Sequence, residues 1–248
     1  MVERVVVITG ASDGIGEALA VQLAERGASL VLVARRETEL RRVAERCGER
    51  AVPMVADVTR REEVRRVVDQ AIARFGGIDV WVNGVGRGIT KLPTLLTDED
   101  IDDMMSVNVK SALYGMQEVL PHFTARNTGH VINISSVLGR VPFNVSRTAY
   151  NGAKHYLNAL TAGFRSEVQQ AHPGIQFTLV SPGGVKTRFG VHALHGGPDS
   201  RLQAEFERVE DVATVIAGTI ESRRPDVYTK PGVHQRVVGY YSSLGSDP

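Results

Sequence analysis

The chain has 248 residues, of which 42% are apolar and 23% are charged, as is usual for a soluble globular protein. Its net charge of +1 gives no electrostatic reason to expect a nucleic acid or a membrane surface as a partner. Cys47 is the only cysteine, so neither an internal disulfide nor a thiolate metal cluster is expected. The N-terminal residues lack a secretory signal pattern, and no apolar run approaches the ~20 residues of a membrane helix. These features predict a cytoplasmic protein.

Short apolar runs rich in valine and isoleucine alternate with longer amphipathic segments. The predicted buried strands lie at 5–8, 30–34, 51–56, 79–82, 130–134 and 177–180. The predicted helices lie near 15–26, 37–46, 60–74, 98–123, 148–171 and 209–221, and the sequence TDED at 97–100 has a capping-box pattern. This alternation predicts one α/β domain, residues 1–248, with a doubly wound parallel sheet and helices on both faces. Residues 188–205 contain Gly and Pro and are weakly periodic, which favours a mobile substrate lid with a short helix.

The first predicted strand leads directly into TGASDGIG, residues 9–16, which contains Gly10, Gly14 and Gly16. Three glycines at a strand-to-helix turn allow a tight bend and let backbone N–H groups approach a pyrophosphate closely. The helix N-terminus that follows favours an anion. Because the turn lies between a strand and a helix at the start of an alternating sheet, it predicts nucleotide binding.

Tyr150 and Lys154 are four residues apart in a predicted helix and so share one of its faces. An ammonium group near a phenol stabilises the phenolate and lowers the tyrosine pKa, which suits proton transfer near neutral pH. The same pair could also be a solvated tyrosine and lysine on an ordinary helix surface, so other residues must decide between the two interpretations.

Four motifs occur in order along the chain: TGASDGIG at 9–16, NISS at 133–136, YNGAK at 150–154 and PGGVKT at 182–187. Together they resemble the short-chain dehydrogenase/reductase family, in its compact single-domain branch. The resemblance covers residues 5 to about 190 and weakens over the lid and the C-terminal tail. It implies a Rossmann-type sheet of about seven parallel strands, and hydride transfer between a nicotinamide and a carbonyl or alcohol carbon.

The resemblance also implies the catalytic roles. Tyr150 would donate and accept the proton, while Lys154 would lower its pKa and bond the nicotinamide ribose. Ser136 would hold the substrate oxygen; Ser135 is the alternative, and either hydroxyl could instead satisfy a nearby backbone group. Asn108 matches the family's helix asparagine, which breaks helix geometry so that a main-chain carbonyl can hold a relay water near the lysine. The alternative interpretation is that Asn108 is an ordinary polar residue on a long helix.

The expected cofactor-binding residues belong to the Gly-rich turn, the ends of the second, third and fourth strands, the catalytic pair and the PGGVKT motif. They are Gly10, Ser12, Asp13, Gly14, Ile15, Gly16, Arg35, Arg36, Asp57, Val58, Asn83, Tyr150, Lys154, Pro182, Gly183, Val185 and Thr187. The resemblance makes Asp57 an adenine contact, although it could equally cap the following turn, and both roles can hold together. Asn83 matches the family's Asn-Asn-Ala-Gly pattern, whereas Gly84 and Val85 depart from it.

The end of the second strand predicts NADP(H) as the cofactor. An NAD enzyme places an acid there to accept hydrogen bonds from the ribose 2′-hydroxyl, but here Ala34 is followed by Arg35 and Arg36. A guanidinium can hold a 2′-phosphate with two hydrogen bonds. The resemblance favours Arg35, while Arg36 could be solvated at the helix start. Asp13 argues the other way, because many NADP enzymes of the family carry Lys or Arg at its position.

The predicted function is therefore an NADP(H)-dependent oxidoreductase of a small-molecule carbonyl or alcohol. The alternative is a non-catalytic regulator that senses nicotinamide nucleotides, which would not need Ser136, Tyr150 and Lys154 together. An epimerase of the extended branch would need a second substrate domain. His192 and His195 lack an evident acidic partner in the sequence, so no metal site is expected. Helices 98–123 and 148–171 carry additional apolar positions, and the family's matching helices pair across a two-fold axis, which predicts a homodimer or homotetramer.

Overall fold

The computed structural model describes residues 4–244, so the first three and last four residues of the predicted domain lie outside the described part. Within it, seven strands are present: β1 Val5–Thr9, β2 Ser29–Ala34, β3 Ala51–Val55, β4 Val80–Asn83, β5 Gly129–Ile134, β6 Ile175–Ser181 and β7 Asp226–Tyr228. They form one sheet in the order β3-β2-β1-β4-β5-β6-β7, and every pairing is parallel. The predicted Rossmann-type doubly wound fold is confirmed.

The described residues also form eight α-helices. They are α1 Gly14–Glu25, α2 Glu37–Cys47, α3 Arg61–Phe75, α4 Asp98–Met105, α5 Ser111–Arg126, α6 Thr148–Ala171, α7 Val209–Ser222 and α8 Val233–Ser242. None of the helices in residues 4–244 is long and apolar enough to cross a bilayer. The cytoplasmic location stays a prediction.

Alternating side chains of each central strand serve the two faces of the sheet. In β1, Val6 and Ile8 belong to a core with Leu19 of α1, whereas Val7 belongs to the opposite core with Met116 of α5. Both faces of the sheet are therefore buried, which explains why the strands are continuous apolar runs instead of alternating patterns. The loops at the carboxyl ends of the strands are left free to form a site.

Two C-terminal elements were not predicted from the apolar pattern. Strand β7 has only three residues, which are half-buried or exposed, and it pairs with β6 at the edge of the sheet. Helix α8 packs through Val233 and Val237 against Val141. Both elements are too short or too polar on average to give a periodic signal.

The predicted helix 98–123 is interrupted in the middle. Helix α4 begins at the predicted capping box, in which the Thr97 hydroxyl accepts from the Asp100 N–H and the Asp100 carboxylate accepts from the Thr97 N–H. A π-helical turn, Ser106–Lys110, then joins α4 to α5. Such turns widen the helix and leave a carbonyl without its usual partner, and this one contains Asn108.

Candidate active site

A cleft of about 990 Å³ opens where the carboxyl ends of the strands meet. Every catalytic or cofactor-binding residue predicted from the sequence lines it, except Asn83 and Asn108. Its volume is at the upper end of the roughly 300–1,000 Å³ of ordinary ligand sites. One continuous site thus contains the Gly-rich turn, the ends of β2 and β3, the start of α6 and the segment after β6.

The Gly-rich turn is closely packed. A Cβ atom on Gly16 would lie 2.3 Å from the carbonyl oxygen of Gly10, so only glycine fits there. Gly10 has a φ of +75°, and its own Cβ would lie 2.9 Å from the carbonyl oxygen of Gly84. Asp13 caps α1 by accepting a 2.8 Å hydrogen bond from the Gly14 N–H. The turn therefore brings the N-terminus of α1 to the cleft, where its N–H groups can face an anion.

The departure at Gly84 and Val85 from the family pattern has a local explanation. A Cβ on Gly84 would lie 2.5 Å from the carbonyl oxygen of Thr9, so the glycine allows β1 and β4 to approach closely where they end. The Gly84 N–H donates a hydrogen bond to the Thr9 hydroxyl at 3.1 Å. Val85 packs against the core beneath. The substituted pair thus keeps the ends of these strands together.

Asn83 is directed into the interior and not towards the cleft. Its side-chain oxygen accepts a 2.7 Å hydrogen bond from the Trp81 indole, and its amide donates to Asn133 at 2.8 Å and to the Ala112 carbonyl. Asn133 in turn donates to the Thr161 hydroxyl at 2.9 Å. The Asn83 side chain thus connects β4 with β5 and α5, and a contact of Asn83 with the cofactor stays a prediction.

Tyr150 and Lys154 lie on one buried face of α6, and Lys154 Nζ is 5.8 Å from the centroid of the Tyr150 ring. The ammonium donates a 3.0 Å hydrogen bond to the carbonyl oxygen of Ile134. Burial raises the pKa of Tyr150 to about 12, with the Ser136 hydroxyl and the Arg147 charge opposing it. Burial also lowers the pKa of Lys154 to about 8. The predicted net lowering of the Tyr150 pKa therefore does not occur in this geometry, because burial outweighs the groups that oppose it.

The two serines after β5 are directed differently. The Ser136 hydroxyl lies beside the Tyr150 phenol and accepts a 3.1 Å hydrogen bond from the Leu138 N–H. Ser135 instead donates to the side-chain oxygen of Asn158 at 2.5 Å. Of the two hydroxyls, only that of Ser136 therefore lies beside the Tyr150 phenol.

Asn108 lies behind the cleft wall, inside the π-helical turn. Its side-chain oxygen accepts from the Arg87 N–H at 3.1 Å, and its amide donates to the Arg87 carbonyl at 3.0 Å and the Met104 carbonyl at 3.1 Å. A Cβ on Gly86 would lie 3.1 Å from the Asn108 oxygen and 3.4 Å from Lys154 Nζ. Asn108 thus fixes the loop after β4, and only Gly86 separates it from the lysine.

Asp13 lies between two guanidinium groups. Arg188 Nε donates to the Asp13 carboxylate at 3.0 Å, and Arg36 Nη2 lies 3.7 Å from it. Arg36 also donates to the Ser12 hydroxyl at 3.1 Å. Sequence reasoning missed Arg188, because 175 residues separate it from Asp13 and no motif marks the pair. The negative charge of the Gly-rich turn is therefore balanced within the cleft.

Asp57 combines the two roles that the sequence left open. Its carboxylate accepts from the N–H and the hydroxyl of Thr59, at 3.0 and 2.7 Å, so it caps the turn. Arg35, whose side chain is 67% exposed, lies 3.7 Å from the same carboxylate. Burial alone would raise the pKa of Asp57, but the Thr59 hydrogen bonds and the nearby arginine charges outweigh it and lower the pKa. Asp57 still lines the cleft as a carboxylate.

The predicted lid packs on the loop that follows β4. Leu194 forms an isolated parallel bridge with Ile89; its N–H donates to the Gly88 carbonyl at 2.8 Å, and its carbonyl accepts from Thr90 at 3.0 Å. The predicted short helix is a single 3-10 turn, Ser200–Leu202. Opening of this segment stays a prediction.

His195 has an acidic partner that the sequence did not reveal. Its Nε2 atom lies 2.7 Å from the Asp100 carboxylate, which also accepts a 2.6 Å hydrogen bond from Lys91. The Lys91 and His195 bonds hold the pKa of Asp100 well below its usual range. Across residues 4–244, no group of three or more His, Cys, Asp or Glu side chains is arranged to hold a metal ion.

The family model for short chain dehydrogenases matches residues 4–195. The chain belongs to the short-chain dehydrogenase/reductase family. An uncharacterised oxidoreductase of Staphylococcus saprophyticus is 39% identical over 191 residues, which is 77% of each chain. Another, from Staphylococcus epidermidis, is 37% identical over 185 residues, 75% of this chain and 79% of the relative. This short-chain dehydrogenase/reductase is thus an oxidoreductase, and its family acts on small-molecule substrates.

Solved structures show the same relationship. A short-chain dehydrogenase/reductase from Burkholderia phymatum in complex with NAD superposes with a TM-score of 0.88 and 25% identity, over 99% of this chain and 97% of that one. An alcohol dehydrogenase from Thermococcus sibiricus complexed with 5-hydroxy-NADP superposes with a TM-score of 0.78 and 27% identity. The match covers 91% of this chain and 95% of that one. These similar proteins bind nicotinamide cofactors of both types.

The buried ammonium of Lys154 makes the stability of the cofactor-free protein depend on pH. Its pKa is about 8 in the folded protein and 10.5 when unperturbed, so between these values the unfolded chain binds more protons. The Lys154 contribution to the free energy of unfolding therefore rises as pH increases from 8 to 10.5. We expect wild type to gain about 2–3 kcal/mol relative to Lys154→Met between pH 7 and pH 10 in urea denaturation.

Lys110→Met is the matched control, since Lys110 is exposed, and it should show no comparable change with pH. If the difference in the free energy of unfolding between wild type and Lys154→Met stays constant from pH 7 to pH 10, the burial of a charged lysine is contradicted.

Proposed function

We propose that this protein is an NADP(H)-dependent oxidoreductase that transfers a hydride between the nicotinamide and a carbonyl or alcohol substrate, with Tyr150 as the acid and base. The main support is that Ser136, Tyr150 and Lys154 meet in the cleft that also contains the Gly-rich turn. A nucleotide cradle next to a buried proton donor suits hydride chemistry at one carbon, whereas a sensor would need only the cradle.

The chain's own residues would act on the substrate oxygen. Reduced nicotinamide, when bound, supplies the hydride, and negative charge then develops on the carbonyl oxygen. The Tyr150 hydroxyl donates its proton to that oxygen, and the adjacent Ser136 hydroxyl donates a second hydrogen bond to it. In the oxidation direction the Tyr150 phenolate accepts the alcohol proton, the Ser136 hydroxyl positions the alcohol oxygen, and the hydride passes to the oxidised nicotinamide.

Lys154 would stabilise the phenolate that remains when Tyr150 gives up its proton. The ammonium lies on the same helix face, and no carboxylate of residues 4–244 is within 4 Å of it to neutralise it. A charge at this distance in a buried site acts with little screening. The predicted bond to the nicotinamide ribose would require the same ammonium, which is then shared between the Ile134 carbonyl and the cofactor.

The proposed preference for NADP(H) is supported by the charges at the adenosine end of the cleft. Ala34 offers no acid for a ribose 2′-hydroxyl, and both Arg35 and Arg36 line the cleft beside it. Asp13, the one feature that argued for NAD, is paired with Arg188 and lies near Arg36. Its charge would therefore repel a 2′-phosphate much less than an isolated carboxylate would.

Replacement of Tyr150 by phenylalanine should remove the proton donor and leave the cofactor site intact. We expect turnover to fall at least ~100-fold, the lower range for general acid catalysis, while NADPH affinity measured by calorimetry stays within about twofold. Tyr156→Phe, an exposed position on the same helix, is the matched control. Near-normal turnover of Tyr150→Phe with an active control would refute the role of Tyr150. Lys154→Ala should reduce both cofactor affinity and rate.

Cofactor preference should be visible as the ratio of kcat/KM for NADPH over NADH. We expect this ratio to exceed one in the wild type, and to fall by about tenfold or more in Arg35→Ala, since a charge-assisted hydrogen bond to phosphate is lost. Arg36→Ala, compared side by side, shows which guanidinium holds the phosphate. The double variant Ala34→Asp, Arg35→Ala should move the preference towards NADH. A wild-type preference for NADH would contradict the assignment.

We also propose that the protein is a homodimer or homotetramer. Ile101 of α4 and Tyr156 of α6 are large side chains that are 42% and 53% exposed, and they lie on the two helices that the resemblance expects at a two-fold interface. Light scattering at micromolar concentration should give a mass of two or four chains. The mass of a single chain would contradict the proposal.

A further inference from the structure

Arg147 lies at the reacting end of the cleft and has no role in the chemistry described above. It immediately precedes α6, three residues before Tyr150, and it lines the cleft. Its guanidinium carbon lies 6.0 Å from the centre of the Phe189 ring. The Phe189 ring packs edge-on against the Tyr150 ring, with 5.5 Å between the centroids. Arg147 and Tyr150 thus flank the same phenylalanine.

The Arg147 side chain makes no hydrogen bond and no ion pair with residues 4–244. Its guanidinium donates no hydrogen bond there and has no carboxylate within 4 Å, and its buried Nη1 atom is unpaired. Burial lowers the pKa of Arg147 from its usual value, which reports the cost of keeping this cation away from water. A half-buried arginine without a counter-charge is unusual, because such groups are normally paired.

Two acids of the neighbouring helix α4, Asp100 and Asp103, are already paired with other cations. Asp100 accepts hydrogen bonds from Lys91 and lies against His195, and Asp103 forms an ion pair with Arg87. Neither carboxylate is within ion-pair distance of Arg147. The positive charge at this end of the cleft is therefore uncompensated by the described chain, in contrast to the adenosine end.

The guanidinium occupies a space that two glycines leave open. A Cβ on Gly88 would lie 2.3 Å from Arg147 Nη1, and a Cβ on Gly197 would lie 3.2 Å from Nη2 and 3.0 Å from Thr90 Oγ1. Thr90 Oγ1 is a second buried polar atom without a hydrogen-bond partner in residues 4–244. Thr90 Oγ1 and Arg147 Nη2 therefore both border Gly197, between the loop after β4 and the segment that follows β6.

We propose that Arg147 binds a carboxylate of the substrate, so that the substrates are oxo acids and the corresponding hydroxy acids. This inference rests on the proposed function. One planar guanidinium matches one carboxylate in charge and in its pair of parallel hydrogen bonds. A phosphate ester would carry close to two negative charges and would call for a second unpaired cation beside Arg147. The Phe189 ring between Arg147 and Tyr150 provides an apolar surface for the carbon chain that links the carboxylate to the reacting carbon.

A rival role for Arg147 is to act only on Tyr150, since its charge opposes the rise in the Tyr150 pKa. That role would affect charged and uncharged substrates equally. A comparison of each acid with its own methyl ester separates the two, because the ester removes the charge and keeps the reacting carbonyl. The ratio of kcat/KM for acid over ester cancels any change in the proton donor itself.

The probes are 3- and 4-carboxybenzaldehyde and their methyl esters, assayed with NADPH and with NADH. We expect the wild type to prefer at least one acid over its ester by about tenfold or more, as a charge-assisted pair provides. Arg147→Met should bring that ratio close to one, and Arg147→Lys should give an intermediate value. Arg41→Met is the matched control, because Arg41 is exposed, is paired with Glu37 and does not line the cleft, and it should keep the wild-type ratio. Wild-type ratios at or below one for both isomers, or an unchanged ratio in Arg147→Met, would overturn the inference.

A binding measurement without turnover keeps this inference separate from the proposed function. Calorimetric titration of benzoate into the protein with NADP⁺ should show weaker binding, by about tenfold or more, in Arg147→Met, and benzamide should show no such difference. If Arg147→Met loses benzoate binding but the wild type reduces none of the aldehydes, the proposed function is contradicted and the anion site stands. If the wild type reduces the esters but wild type and Arg147→Met bind benzoate equally, the anion site is contradicted and the proposed function stands.

Discussion

The ammonium group of Lys154, only 2% exposed and bonded to the Ile134 carbonyl, is the constraint on which the site depends. A charge held this far from water is tolerated only if the surrounding backbone is fitted to it. Gly139 is required because its Cβ would lie 2.9 Å from the Lys154 backbone, and Gly86 leaves room beside Nζ. These contacts fix α6 against β5 and the loop after β4. Tyr150, one helical turn away, is thereby held in the wall of the cleft.

The two ends of the cleft differ in how their charges are balanced. At the Gly-rich turn, Asp13 is neutralised by Arg188 and lies near Arg36, which keeps the N-terminus of α1 available for an anion. At the other end, Arg147 has no counter-charge among the described residues. The distribution suits a ligand that carries negative charge at both extremities, as a dinucleotide together with an acidic substrate would.

Much of the fold could be predicted because parallel strands buried on both faces give continuous apolar runs, and the motifs locate the turns between them. Strand β7 could not, since its three residues depend on β6 for pairing. The ion pair between Asp13 and Arg188 could not be predicted from the sequence either, because its two residues are 175 positions apart. Asn83 was assigned to the cofactor from its motif, but whether its side chain faces the cleft or the interior depends on Trp81 and its other tertiary partners.

The proposed function requires direct transfer of hydrogen from the nicotinamide to a carbonyl carbon. The most direct measurement uses NADPH deuterated at C4, as each of its two diastereomers, with benzaldehyde and the carboxybenzaldehydes as acceptors. Mass spectrometry and NMR should find one deuterium on the carbinol carbon from one diastereomer, and none from the other or from deuterated water. Alcohol product without that deuterium from either diastereomer, or the absence of any cofactor oxidation with all of these acceptors, would contradict hydride transfer at this site.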